Sequence, residues 1–198
     1  MTLMTISSVI ENHIKNKENK SYMKTKQTTL LTSTTLALCA AAFMFTTNSM
    51  AAEKDTLSAS DVKFVKQEAA AGSAVVKIAE LGVKKAERAD VKAFAEMLVT
   101  DHTKGCDDTK ALATKKGVEL STVIAPSHAE TYQKLEKYSG KEFDKEFLAT
   151  VVSGHKKCVG NFEDASTGAK DADVKAWANK VLPGLKSHLE KAKELAAK

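Results

Sequence analysis

Three histidines occur where the sequence otherwise has the pattern of an apolar helix face. His102 lies in the stretch DHTKGC and His155 in GHKKC, and each precedes a cysteine by about one helical turn. The third, His188, lies in SHLEK near the carboxyl end. Imidazole nitrogens and thiolates are ligands that Zn, Cu, Ni and Fe accept. The residue types therefore raise a metal-binding hypothesis, which depends on the elements that position them.

Apolar residues recur at helical spacing along most of the chain, and no stretch alternates with the period of two that is typical of a strand. The spacing predicts four main helices, over about 61–86, 90–116, 141–166 and 173–197. Ser60 suits the amino-terminal cap of the first helix, and Gly117 and Gly168 suit the ends of the second and third. Pro183 lies inside the fourth helix and should kink it.

The chain repeats itself after 83 residues. This shift lays ADVKAFA (89–95) on ADVKAWA (172–178), and Phe64 on Phe147. The four helices are therefore predicted to form two copies of one hairpin. The link between the copies is long and should contain a short helix over about 126–138. Because two antiparallel pairs joined by one long crossover is the ferritin-like arrangement, we predict an all-α, ferritin-like four-helix bundle over residues 61–198.

The residues also resemble a known family. Long stretches from Phe64 to Ala196 are similar to the secreted bacterial domain-of-unknown-function family 4142, whose members are often labelled outer membrane proteins. The most specific matches are the aspartate–histidine pair of the second helix, the third-helix histidine, and the pattern LP-x-L-x-x-H-L, which runs from Leu182 to Leu189. The sequence departs from the family at Gly154, where an aspartate is usual. The resemblance implies a ferritin-like fold and an exported protein, but no particular reaction.

Each predicted helix places one candidate ligand on its inner face. His102, His155 and His188 fall near the middle of the second, third and fourth helices, and Glu68 lies on the inner side of the first. The four side chains should therefore lie at similar heights. Such a set suits Zn, Cu, Ni or Fe, and Asp101 could orient His102 from behind the site.

Two other interpretations of the histidines stay open. Helix carbonyls in mid-run are already paired, so buried imidazoles need side-chain or water partners, and a mutual polar cluster without metal would supply them. The histidines could also be exposed and unrelated to one another. The cysteines have three interpretations: a disulfide between Cys106 and Cys158, metal ligation beside the histidines, or two buried free thiols. The disulfide depends on whether the second and third helices run parallel and lie close enough.

Several function classes find no support in the sequence. Ferritin-like di-iron enzymes take Glu-x-x-His from two helices, and no such motif faces the core here. No phosphate-binding glycine loop or nucleophile motif occurs either. The charge is mixed, with Arg88 as the only arginine, so nucleic-acid binding is not expected. We therefore expect a non-catalytic protein rather than an enzyme, and the sequence identifies no partner or substrate.

The amino-terminal region has the layout of a secretory signal peptide. A short basic stretch from Met23 precedes the apolar run 30–45, and small residues end at Ala51, which predicts a start at Met23 and cleavage after Ala51. Residues 52–60 then form a polar lead-in. A membrane anchor is the alternative, although the run is short for a span. Removal of residues 1–51 takes five lysines and two acids and leaves 25 basic and 23 acidic residues.

These observations predict an exported protein, periplasmic or secreted, without a transmembrane segment in its mature chain, which is either soluble in the periplasm or loosely associated with the envelope. Its function is expected to be a non-catalytic envelope or stress-related role with a structural histidine cluster. The alternative is transition-metal binding by the same histidines.

Overall fold

The computed structural model describes residues 56–198, so the predicted upstream segment and signal peptide over residues 1–51 lie outside the described range. Five helices account for most of this part of the chain. They are α1 (Ala59–Lys85), α2 (Ala89–Lys115), α3 (Pro126–Glu136), α4 (Gly140–Gly168) and α5 (Ala172–Ala196). The prediction of four long helices and one short crossover helix is confirmed. None of the described helices is both long and apolar enough to span a membrane.

The helix ends follow from local capping chemistry. Ser58, not the predicted Ser60, caps α1, because its hydroxyl accepts the N–H of Asp61 at 3.2 Å. Gly117 adopts φ 65° just after α2, where only glycine is free of strain, and it ends that helix as predicted. The N–H of Val118 then returns to the carbonyl of Ala113 at 2.8 Å. Helix α5 continues unbroken through Pro183.

Two buried aspartates fix how the hairpins stack. Asp61, in the first turn of α1, accepts the N–H groups of Lys170 and Asp171, which follow α4, at 3.0 and 2.9 Å. Asp144, near the start of α4, accepts those of Glu87 and Arg88 after α1 at 3.0 and 2.9 Å. Because the start of each helix meets the end of the other, α1 and α4 run antiparallel.

The other adjacent pair is antiparallel too. The guanidinium of Arg88, before α2, donates to the carbonyl of Leu195 near the end of α5. Lys116, just after α2, pairs with Asp171 at the start of α5 at 2.6 Å, and both side chains are buried. It follows that α2 and α4 are parallel and that the crossover between them, which contains α3, runs from one end of the bundle to the other. This is the predicted ferritin-like topology.

The apolar core is divided into two clusters, one towards each end of the bundle. One is built around Phe94, Phe143 and Phe147, which are nearly or completely buried. The other is built around Phe162 and Trp177, whose rings lie 5.0 Å apart. Polar side chains occupy the level between the two clusters, and the predicted histidines lie there.

Candidate metal centre

The structure brings together the three histidines that the sequence placed on inner faces. His102 on α2, His155 on α4 and His188 on α5 have ring centroids 5.3–5.6 Å apart. One ring nitrogen from each lies within 4.8 Å of the others. An ion about 2 Å from each nitrogen needs separations of about 3.3–4 Å, so side-chain movement of under about 1 Å would let all three reach it.

Hydrogen bonds fix which nitrogen of two imidazoles carries the lone pair. The Nδ1–H of His155 donates to the carbonyl of Val151 at 3.0 Å, which leaves Nε2 as its acceptor. The Nε2–H of His188 donates to a carboxylate oxygen of Asp101 at 2.9 Å, which leaves Nδ1 as its acceptor. Both lone pairs belong to side chains that are at least nine-tenths buried.

One of these lone pairs has no partner. The Nδ1 atom of His188 is buried and makes no hydrogen bond, whereas Nε2 of His155 lies 3.3 Å from Nε2 of His102. That 3.3 Å contact equals about the edge of a tetrahedron of ligands around a zinc or copper ion. A buried acceptor without a donor is costly, and a cation would satisfy it.

The environment keeps the imidazoles of His102 and His155 neutral. Burial, followed by repulsion from His155 and His188, lowers the pKa of His102 to about 3. Burial, followed by repulsion from His188, lowers the pKa of His155 to about 4. Because an imidazole must be unprotonated to bind a metal, these two side chains are ready ligands at neutral and mildly acidic pH.

Asp101 does not form a hydrogen bond with His102, the histidine that the sequence suggested. It was expected to orient its neighbour His102, but its carboxylate accepts from His188 on α5 instead. Adjacent helix residues point about 100° apart, which turns Asp101 towards the neighbouring helix while His102 points inward. A carboxylate on the far nitrogen of a ligating imidazole sets its tautomer and raises its basicity.

Glu68 lies outside the group of three imidazoles. Its carboxylate accepts the side-chain N–H of Asn161 at 2.7 Å and is also bonded to the Cys158 thiol. Burial raises its pKa above the usual value, against the effect of those hydrogen bonds. No pattern in the sequence predicts that Asn161 is the partner of Glu68.

Both cysteines within the described residues are free thiols. Cys106 on α2 lies 3.9 Å from the hydroxyl of Ser73 on α1, whereas Cys158 on α4 meets Glu68. Helices α2 and α4 are parallel but face each other diagonally across the bundle, an arrangement in which equal height does not bring cysteines together. Burial, then the negative charge of Glu68, raises the pKa of Cys158 to about 12, which makes it a poor nucleophile.

The histidines line a cavity of about 320 Å³ inside the bundle. Glu68, both cysteines and Trp177 contribute to its walls. A second cleft of about 500 Å³ lies between α1, α3 and α4, and His155 contributes to it as well. The site is therefore enclosed by the four long helices, with His155 between two open volumes.

Fold and site together define a class: an all-α four-helix bundle of ferritin-like topology with a buried three-histidine cluster at mid-height. The chain belongs to the family described as "Domain of unknown function (DUF4142)", whose model matches residues 46–195. No curated protein matches the chain.

Solved structures share the architecture at low sequence identity. A DUF305 fragment from Deinococcus radiodurans is 13% identical with a TM-score of 0.64, over 72% of this chain and 98% of that one. CopM in its Cu(II)-bound form is 15% identical with a TM-score of 0.60, over 69% of this chain and 95% of its own. CopM in its Cu(I)-bound form has a TM-score of 0.57 at 15% identity, over 68% and 93%. At these identities the likeness establishes the helical fold alone.

Proposed function

We propose that this chain is a transition-metal-binding protein of the bacterial envelope that holds one ion between His102, His155 and His188. Two observations carry the proposal: one ring nitrogen from each of the three histidines lies within 4.8 Å of the others, and the Nδ1 atom of His188 is buried without a hydrogen-bond partner. Three imidazole ligands leave room for a fourth ligand such as water, which is the coordination that zinc and copper sites often use.

Copper is the first choice among the metals. The solved structures with a similar fold include CopM in forms bound to Cu(II), Cu(I) and silver. Imidazole suits copper in both oxidation states as well as zinc, nickel and iron, so the residues themselves are compatible with several ions. Copper and zinc should bind more tightly than iron because of the general affinity order of nitrogen ligands.

A structural histidine cluster is the second candidate. The contact of 3.3 Å between His102 and His155 and the bond from His188 to Asp101 favour it, since they satisfy most of the polar atoms without an ion. On that function, the imidazoles would specify how the helices pack, and the chain would be a non-catalytic envelope protein. The two functions differ in whether metal binds at micromolar concentration.

The envelope location rests on the amino-terminal pattern. The basic stretch, apolar run and small residues before Ala52 support export and removal of residues 1–51. Mass spectrometry of the protein from the envelope fraction should find Ala52 as the first residue. A mature chain that begins upstream of Leu30 would contradict the proposed cleavage.

Metal titration tests the function. The chain has one tryptophan, Trp177, which lines the histidine cavity, so its fluorescence should be quenched by Cu²⁺ at the site. We expect about one equivalent of Cu²⁺ or Zn²⁺ per chain by elemental analysis, and its loss in His155→Ala. His128→Ala is the matched control, because His128 lies on the crossover helix α3 and outside the cluster. Absence of binding at micromolar metal, or equal loss in both variants, would reject the proposal.

A further inference from the structure

The cavity that contains the histidines opens on one side of the bundle. Its exposed lining residues, Asp101, Lys104, Lys180 and Gly184, all belong to α2 or α5. The lining residues from α1 and α4 are buried or half-buried. The opening therefore lies along the seam between α2 and α5.

Two glycines leave part of this seam unfilled, beside the ion pair of 2.8 Å that Lys180 on α5 makes with Asp108 on α2 across it. Gly105 on α2 and Gly184 on α5 both line the cavity, and a Cβ atom at either position would meet nothing within 4 Å. Pro183 precedes Gly184 and cannot donate the helix bond to the carbonyl of Asn179, which weakens α5 locally. A hydrated cation would meet open space at this point of the bundle surface.

The seam leads directly to the ligands. Asp101 keeps about half of its side chain exposed (51%) while it accepts the Nε2–H of His188, whose side chain is 8% exposed. The unpartnered Nδ1 of His188 lies on the other edge of the same ring. One carboxylate and one imidazole thus span the distance from solvent to the site, and two of the three imidazoles come from the helices that form the seam.

The opposite side of the site is closed by side chains. Between α1 and α4, the hydrogen bond of 2.7 Å from Asn161 to Glu68 and the contact of Glu68 with Cys158 stand between the larger cleft and the cavity. Of the three clustered imidazoles, only that of His155 borders this cleft, and His155 is 1% exposed. Gly154 lines the cleft, and a Cβ there would also meet open space.

We propose that metal ions enter and leave the three-histidine site through the seam between α2 and α5, with Asp101 as the carboxylate that an incoming cation meets first. The inference rests on the proposed function, because it describes how an ion reaches that same site. On this proposal, small hydrated transition-metal cations pass through the seam, and the larger cleft between α1 and α4 is not a route to the site.

Filling the seam should slow loading without changing the affinity. Stopped-flow mixing of metal-free protein with Cu²⁺ alone, followed by quenching of Trp177, gives the association rate. In Gly184→Leu we expect association to slow by about tenfold or more, with the equilibrium Kd within about threefold of wild type. A higher barrier on the path slows entry and exit equally, so the ratio of the rates is conserved.

The helix glycines supply matched controls. Gly105→Leu fills the same seam from the facing helix and should slow loading as well, which guards against a folding defect peculiar to residue 184. Gly154→Leu fills the larger cleft, and Gly160→Leu lies in neither cavity, with open space around its Cβ. Both should load at the wild-type rate. Thermal melts of all four variants check that each one folds.

The outcomes separate the route from the function. Wild-type loading by both seam variants, or slow loading by Gly154→Leu alone, would overturn the proposed route while metal binding itself stands. Slow loading by both seam variants with normal loading by both controls would support the route. Failure of the wild-type protein to bind Cu²⁺ at all would reject the proposed function and this inference with it.

Discussion

The ends of the bundle and its middle follow the internal repeat to different degrees. At the ends, residues related by the shift of 83 do the same work: Asp61 and Asp144 each accept two backbone N–H groups from the opposite hairpin. Phe94 and Trp177 are likewise equivalent, and each is a buried member of its own core cluster. The ends therefore behave as two copies of one structure.

In the middle, the repeat breaks at every member of the site. The same shift relates His102 to Leu185, and the other counterparts are small or apolar. His155, His188 and Asp101 correspond to Gly72, Gly105 and Gly184, and Glu68 corresponds to Val151. The four counterparts of the histidines and of Asp101 line the same cavity as the ligands themselves.

The contrast between the ends and the middle separates the contacts that stabilise the fold from the residues of the proposed site. At the ends, the two hairpins make equivalent contacts with each other, as the stacking of two similar hairpins requires. A polar cluster in mid-core destabilises the fold unless its groups are satisfied. Gly105 and Gly184, the counterparts of His188 and Asp101, leave open space beside the cluster. The histidine level is thus a departure from the repeat at the position where function is proposed.

Substitution of the two buried aspartates at the ends of the bundle should give the largest loss of stability. Asp61→Ala and Asp144→Ala each leave two backbone N–H groups without an acceptor in a buried place. We expect each to reduce the free energy of unfolding by about 3 kcal/mol, measured by urea denaturation. Similar values for the two would support the equivalence of the ends. A loss confined to one of them would break it.

A smaller effect is expected at a close contact in one end. A Cβ added at Gly82 would lie 2.8 Å from the ring of Phe147, which is completely buried, and 2.9 Å from Cβ of Ala95. Gly82→Ala should therefore destabilise the protein by about 2 kcal/mol. Gly160→Ala, with open space around it, should instead stabilise by about 0.5–1 kcal/mol. Urea denaturation measures both variants. If the two substitutions changed the free energy of unfolding in the same direction, the packing described for this end would be contradicted.

The middle should show its character in the pH dependence of the metal-free protein. Burial lowers the pKa of His102 to about 3 and of His155 to about 4. An unfolded histidine has a pKa of about 6.5, so below that value the unfolded chain binds protons that the folded chain does not. The stability that the neutral imidazoles allow is complete above about pH 6.5 and is lost as the pH falls towards 4.

His102→Leu sharpens this test, because it gives the middle the residue that its counterpart Leu185 already has. Between about pH 7 and about pH 4.5, the thermal midpoint of the wild type should fall by about 5 °C more than that of the variant. Melts in the presence of a chelator measure the difference. An equal fall in both proteins would show that the His102 imidazole does not titrate as its burial requires.

The fold could be predicted from the sequence because its signals are local and repeated. Helical spacing placed the helices to within a few residues, and the match of 89–95 with 172–178 identified the hairpins. The long link indicated the crossover. The shared height of His102, His155 and His188 also followed, since each lies near the middle of its helix and height does not depend on rotamers.

The partners of these side chains could not be predicted, because they depend on how each helix is rotated and offset. The Asp101 carboxylate accepts a hydrogen bond from His188 and not from His102, and the Glu68 carboxylate accepts one from Asn161. The hydrogen bonds that Asp61 and Asp144 accept from the opposite hairpin could not be predicted either, although the equivalence of the two residues under the shift of 83 was a signal. Contacts between hairpins are set by the packing offset, which the spacing within one helix does not determine.

The most direct test of the account is the position of the ion in crystals of the copper-loaded protein. Anomalous diffraction at the copper edge should give one strong peak per chain, about 2 Å from Nε2 of His102, Nε2 of His155 and Nδ1 of His188. A peak elsewhere on the chain, or none at the histidines in crystals grown with excess copper, would contradict the assignment of the middle of the bundle to metal binding.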